Sequence, residues 1–155
     1  VTNLDILRKY QNLFSVASQD TFLVEGSLKE NIIFGSGKEF NEKKMRDSIN
    51  FARLDSFIET LENGVDTHIG STIKQLSSGQ KQRIAIARSI YSDREIIIFD
   101  EATNALDNEN EKIIINNLKN LKSKKTIIII SHSLENLKIC EDIYTMDNGT
   151  LVKKN

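Results

Sequence analysis

Two runs of β-branched residues constrain this chain most. Ile96-Ile97-Ile98-Phe99 and Ile127-Ile128-Ile129-Ile130 are continuous apolar stretches bounded by polar or charged residues. They lack the alternation of a half-solvated strand, and each is too short for a buried helix. They read as strands buried on both faces, the habit of a parallel sheet. Between them, Asp107 stands as a cap ahead of Ile114, Leu118 and Leu121, which share one helical face. Strand, helix, strand in this order is a βαβ unit, and the expected class is α/β.

The upstream half is mostly helical in pattern. A β-rich run at 13–17 leads into the loop Ser18-Gln19-Asp20. Ser27 is placed to cap a helix holding Leu28, Ile32 and Ile33, and Asn41 with Glu42 opens another with Met45, Ile49 and Ala52 on one side. Residues 55–61 read as a third helix, ended by Asn63-Gly64, and 76–91 as a fourth and longer one opened by Ser77. After the second isoleucine run come a helix near 134–140, a strand at 143–146, an Asn148-Gly149 hairpin turn and a final strand from Thr150.

Composition excludes several classes. A chain of 155 residues has room for a sizeable core. One cysteine leaves no disulfide framework and no multi-thiolate metal site. Lys+Arg 21 against Asp+Glu 22 gives a net charge of -1, so no nucleic acid partner is expected. No apolar run approaches the roughly 20 residues that span a bilayer. The start Val1-Thr2-Asn3-Leu4-Asp5 has no basic or apolar region of a secretory signal and no initiator methionine, so a piece of a longer protein is expected.

Two stretches can carry chemistry. Asp100 and Glu101 end a buried strand, and ligands bind at that end of open α/β sheets. One carboxylate there can hold magnesium directly or through water, and the next can orient a nucleophilic water. The plain alternative is an acidic helix start favoured by the helix dipole. In Leu76-Ser77-Ser78-Gly79-Gln80, Ser77 and Gln80 have capping-box spacing, and the open N–H groups of a helix start suit an anion. The plain alternative is a well-capped helix and nothing more.

Taken together, these residues resemble the nucleotide-binding domain of ATP-binding-cassette (ABC) proteins. Leu76 to Gln80, followed by Lys81-Gln82-Arg83, resembles the LSGGQ signature. Ile96 to Glu101 resembles the Walker B strand with its catalytic glutamate, and the stretch from Glu101 to Asp107 the segment ending in the D-loop. Ser131-His132 resembles the switch histidine, and Ser18-Gln19-Asp20 the Q-loop. The five motifs occur in family order across nearly the whole chain. The wording from Asp20 to Ile32 is similar to exporter-type members.

The resemblance implies a partial P-loop NTPase (RecA-like) core with a mainly parallel sheet, plus the ABC α-helical subdomain at 21–92. Residues 1–20 and 93–155 would form the rest of that core. It implies ATP and Mg2+ as cofactors. Asp100 would hold magnesium, mostly through water, and Glu101 would act as general base or polarise the attacking water. His132 would contact the γ-phosphate. Gln19 would sense γ-phosphate, magnesium and water while linking to the transmembrane part. Ser77, Ser78 and Gly79, with Gln80 completing the motif, would meet ATP bound to an opposite protomer, and Asp107 would lie at that dimer interface. The implied partners are a second such domain, in a homo- or heterodimer, and a transmembrane domain. The implied location is the cytoplasmic face of a membrane, and the implied function is ATP hydrolysis powering export through ATP-driven dimerisation. A non-transport ABC ATPase acting on DNA or ribosomes, and a non-hydrolysing regulatory domain, are the alternatives.

One family motif has no counterpart. A phosphate loop needs GxxxxGK followed by Ser or Thr. The single Gly-Lys is Gly37-Lys38, followed by Glu39 with Ile32 at the first position. Only 18 residues precede Gln19, so a fragment beginning after the phosphate loop, inactive alone, is expected. Ser78 replaces the first glycine of the signature, Arg94 a usual proline, Ser71 a common exporter glutamate and Asn104 a commoner serine. The phenylalanines are expected in the core, Cys140 half-buried and His68 in an exposed loop. Lys122, Lys124, Lys125, Lys153 and Lys154 are expected to be solvated.

Overall fold

The computed structural model describes residues 3–69 and 76–154. Helix α1 (Asn3–Gln11) precedes strand β1 (Phe14–Ser18). Helices α2 (Leu28–Ile33), α3 (Glu42–Phe51), α4 (Asp55–Glu59) and α5 (Ser78–Tyr91) follow, with a 3-10 turn at Gly64–Asp66. Strand β2 (Ile96–Asp100), helix α6 (Asn108–Leu121) and strand β3 (Thr126–Ile130) form the βαβ unit. Helix α7 (Leu134–Leu137) and the strands β4 (Ile143–Asp147) and β5 (Thr150–Lys154) end the chain. Helix α1 is not anticipated by the sequence pattern, and α4 and α7 are shorter than expected. Ser71 lies outside the described residues.

The three main strands are parallel in the order β1-β2-β3, from Phe14 beside Ile96 beside Thr126 to Ser18 beside Asp100 beside Ile130. The mainly parallel α/β architecture is therefore as expected. Strands β4 and β5 pair antiparallel through Asn148-Gly149, whose φ angles of 46° and 80° suit a two-residue hairpin turn.

Ala17, Ile97 and Phe99 point to the covered face, where they join Ile84, Ile86 and Ala87 of α5 and Ile114 and Leu118 of α6 in one core. The other face is a correction. Phe14, Val16, Ile128 and Ile130 are 37–52% exposed on it. Both faces are apolar in sequence, but no element among the described residues packs on the second. Only one face is buried here.

Local chemistry explains the helix starts. Ser27 accepts from the Glu30 N–H at 3.1 Å while Glu30 accepts from the Ser27 N–H at 2.6 Å, a complete capping box. Asn41 caps α3 by accepting from the Lys44 N–H at 2.9 Å. Buried Asn31 on α2 accepts from the Val24 N–H and donates to the Val24 carbonyl, each at 2.9 Å, pinning the approach to that helix.

Several side chains depart from expectation. Phe22, Phe34 and Phe40 are exposed, and each lies beside a cation. The Arg88 guanidinium sits 5.0 Å from the Phe22 ring centre and 5.5 Å from that of Phe34, and Lys29 lies 4.3 Å from Phe40. Arg88 also donates to the carbonyls of Asn31 at 2.8 Å and Phe22 at 3.1 Å, and its burial pulls its pKa down. Lys125 is not free in solvent. It donates to Asp93 and to the Arg94 carbonyl, both at 2.8 Å. Arg94 itself donates to the Asn12 and Ser36 carbonyls at 3.2 Å, tying the start of β2 to the loops before β1 and after α2. Cys140 is half-buried and His68 exposed, as expected. Among the described residues no helix is long and apolar enough to cross a membrane.

Candidate functional site

The carboxyl edge of the sheet gathers the acidic residues. Asp100 closes β2 between Ser18 of β1 and Ile130 of β3. The Glu101 N–H donates to the Ile130 carbonyl at 3.0 Å, which extends the ladder by one residue. Its φ then turns to 50°, a left-handed conformation that costs about 1 kcal/mol or more for a residue with a side chain. That turn lifts the carboxylate off the strand end.

Both Glu101 oxygens have partners. Oε1 lies 2.8 Å from Nε2 of His132, and Oε2 accepts from the Asn104 amide at 2.9 Å. His132 is the second residue after β3, and its side chain is 90% exposed against 20% for Glu101. The histidine loop is held from behind. The Ser133 N–H donates to Ser131 Oγ at 3.0 Å, and buried Asn136 donates to Glu111 of α6 at 2.7 Å.

Gln19 follows β1 directly and is exposed. Its loop is tightened by Ser18 Oγ donating to the Asp20 carbonyl and Thr21 Oγ1 donating to the Ser18 carbonyl, both at 3.1 Å. A cleft of ≈ 360 Å³ runs from this loop to Ser78, Lys81 and Gln82 on α5.

The serine-rich start of α5 is a full capping box. Ser77 Oγ accepts from the Gln80 N–H at 3.1 Å, and Gln80 Oε1 accepts from the Ser77 N–H at 2.9 Å. The Gln80 side chain is thus engaged with its own helix end. Gly79 has a steric reason to be glycine, because a Cβ there would lie 2.8 Å from the Ala105 carbonyl oxygen. Asp107 caps α6, accepting from the Asn110 N–H at 2.9 Å and the Asn110 amide at 2.6 Å. The backbone bond, then the side-chain bond, lowers its pKa.

Glu101 and His132 therefore meet, Asp100 adjoins them, and Ser77 to Gly79 stand beside the turn that leaves Glu101. Two residues were undervalued by sequence. Asn104 reads as a mild replacement but holds the glutamate. Gln82 reads as part of a flank, yet an amide on the apolar face of a helix is itself a signal of a buried partner.

The donor set fits magnesium in part. Among the described residues no group of three His, Cys, Asp or Glu forms a metal cage. Magnesium bound with phosphates takes one or two carboxylates and fills its shell with phosphate oxygens and water, and Asp100 can supply such a carboxylate. For ATP, these 155 residues contain no GxxxxGK loop to surround the phosphates.

A parallel sheet ending in Asp-Glu, a histidine on the next strand's exit and a capped helix start packed on the intervening turn together describe an ATP-binding-cassette domain. The chain belongs to the ABC transporter family, whose sequence model matches residues 2–104. It is 36% identical over 147 residues to the ATP-dependent lipid A-core flippase of Francisella tularensis subsp. holarctica (strain OSU18), a match covering 95% of this chain and 24% of the flippase. It is 43% identical over 155 residues to multidrug resistance protein 1 of Plasmodium falciparum (isolate FC27 / Papua New Guinea), covering 96% of this chain and 11% of that protein. Among solved structures, a bacterial Atm1-family ABC exporter with ATP bound superposes with a TM-score of 0.86 at 30% identity. That match covers 94% of this chain and 25% of the exporter chain. The chain spans a quarter or less of the length of these relatives, and the likeness is to exporter-type members.

Proposed function

We propose that this chain is the part of an exporter's ATPase domain that faces the γ-phosphate and water, and that ATP hydrolysis by the whole protein powers export. The observation that carries this reading is the Glu101–His132 contact of 2.8 Å at the carboxyl edge of the sheet. In this reading Glu101 polarises the attacking water, and His132 contacts the γ-phosphate. Asp100 would hold magnesium, and Gln19 would sense that ion and the phosphate. Magnesium would neutralise charge on the phosphate oxygens. The residues' own contribution is positioning and electrostatic stabilisation.

Ser77, Ser78 and Gly79 would present the amino end of α5 to ATP held by a second such domain. Gln80 closes the capping box behind them, and Asp107 lies toward the same interface. The opposing domain would complete each site, so nucleotide would drive dimerisation. The exposed Phe22 and Phe34 adjoin the Gln19 loop and would face the transmembrane part at the cytoplasmic side of the membrane. Residues 21–92 would be the helical subdomain, with 1–20 and 93–155 part of the nucleotide core. The phosphate loop would come from outside these residues, along with the cover for the open sheet face. The joint presence of Glu101 and His132 disfavours a purely regulatory domain.

Steady-state ATP turnover tests the reading. The full-length protein is expected to hydrolyse ATP, and the 155-residue segment alone is expected to show none. Comparable turnover by the segment would contradict the division of the site, and absence of turnover in the full-length protein would contradict the function.

A further inference from the structure

We infer that Gln82 is a positioning residue whose buried amide fixes the turn carrying Glu101 to the start of helix α5. The two ends of one chain's machinery then move as one body. This rests on the ATPase reading above. Gln82 is only 3% exposed, one turn beyond Gly79. A buried amide is costly unless it is bonded. Its Oε1 accepts from the Ala105 N–H at 2.9 Å, while its Nε2 stands at a longer 3.5 Å from the Glu101 carbonyl.

Ala105 is gripped from both sides. Its N–H is held by Gln82, and its carbonyl oxygen abuts the bare Cα of Gly79. The turn from Glu101 to Ala105 is short and closed on itself. The Asn104 N–H donates to the Glu101 carbonyl at 3.2 Å, and the Asn104 amide donates to the Glu101 carboxylate at 2.9 Å. Displacing Ala105 therefore shifts Asn104 and, through it, the carboxylate. The left-handed backbone of Glu101 adds to this, because such a conformation persists only when its surroundings over-determine it. Gln82 touches none of the reacting groups. It acts by holding the turn, and through it the phosphate-facing end of α5 is linked to the glutamate of the same chain.

The test uses the full-length protein with ATP and magnesium. Gln82→Met keeps the length of the side chain and removes both polar ends. It is expected to leave the KM for ATP within about threefold and to lower kcat about 10- to 100-fold, the scale of a small misplacement of reacting groups. Gln82→Glu keeps an acceptor for the Ala105 N–H but buries a carboxylate against the Glu101 carbonyl, so it is expected to recover only part of kcat. Where Gln82→Met fails to fold, Gln82→Asn serves, since it draws the amide back by one methylene. A Gln82→Met enzyme with unchanged kcat would overturn the inference. So would a rise in KM that matches the fall in kcat. A wild-type protein without turnover would overturn the ATPase reading itself, and this inference with it.

Discussion

Glu101 shares its two oxygens between a histidine from the next strand's exit and an asparagine of its own turn. His132 is almost fully exposed, whereas Asn104 belongs to the same tight turn. Losing the Asn104 bond to a charged acceptor should cost about 1.5–3 kcal/mol of positioning. Asn104→Ala in the full-length protein is therefore expected to lower kcat about tenfold or more with little change in KM, by steady-state kinetics. An unchanged kcat would remove Asn104 from the account. Asp93 offers a residue-scale test of stability instead. Burial pushes its carboxyl pKa up, but hydrogen bonds from Lys125 and Lys44 outweigh that and hold it down at about 2. A folded-state pKa below the ordinary 3.8 stabilises the fold fully above that value, and the gain is lost as pH falls through about 2. Because the carboxylate is 42% exposed, solvent screening leaves about 1 kcal/mol of this at neutral pH. Asp93→Asn is expected to lower the denaturant midpoint at neutral pH, with the gap to wild type closing in acid. A gap that stays constant with pH would contradict the ion-pair explanation.

Helix α5 is the element that joins the parts. Its first turn carries the capping box, its second the Gln82 contact and its last Arg88, which clamps Phe22, Asn31 and Phe34. Ser77→Ala should cost about 1 kcal/mol of stability. Arg88→Ala strips two carbonyls and two aromatic faces of their partner and should cost about 2–4 kcal/mol by chemical denaturation. Arg88→Lys should recover only part, because an ammonium cannot fork to both carbonyls. Full recovery by lysine would reduce the clamp to a point charge. Legibility divides along the same line. The starts of α2, α3, α5 and α6 were readable because Ser27, Asn41, Ser77 and Asp107 cap within three residues of themselves. The Asp-Glu strand end was readable because a buried isoleucine run needs no context to stand out. Helix α1 was not readable, since its Ile6, Leu7 and Tyr10 are exposed and no core demands its pattern. The cationic partners of the phenylalanines, and of Glu101 the asparagine, depend on what tertiary folding brings together.

At the scale of the molecule, the three-stranded sheet has one covered face among the described residues. Phe14, Val16, Ile128 and Ile130 give the second face the apolar character of a parallel sheet's interior while leaving it open. For the 155-residue segment alone, strong binding of a hydrophobic dye is expected. Val16→Thr with Ile128→Thr should reduce that binding while changing segment stability by no more than about 0.5 kcal/mol, as for surface substitutions. A loss of about 2 kcal/mol or more would mean that these side chains already belong to a core. The division of labour follows from the same geometry. On the proposed reading, Asp100, Glu101 and His132 would serve the γ-phosphate, while the 155 residues contain no GxxxxGK loop. The most direct test is single-turnover phosphate release by the full-length protein carrying Glu101→Gln, with ATP and magnesium. The variant is expected to bind ATP as the wild type does, remain in a nucleotide-bound dimer and release phosphate at least about 100-fold more slowly. Phosphate release at the wild-type rate would contradict the role of Glu101 and the site built around it.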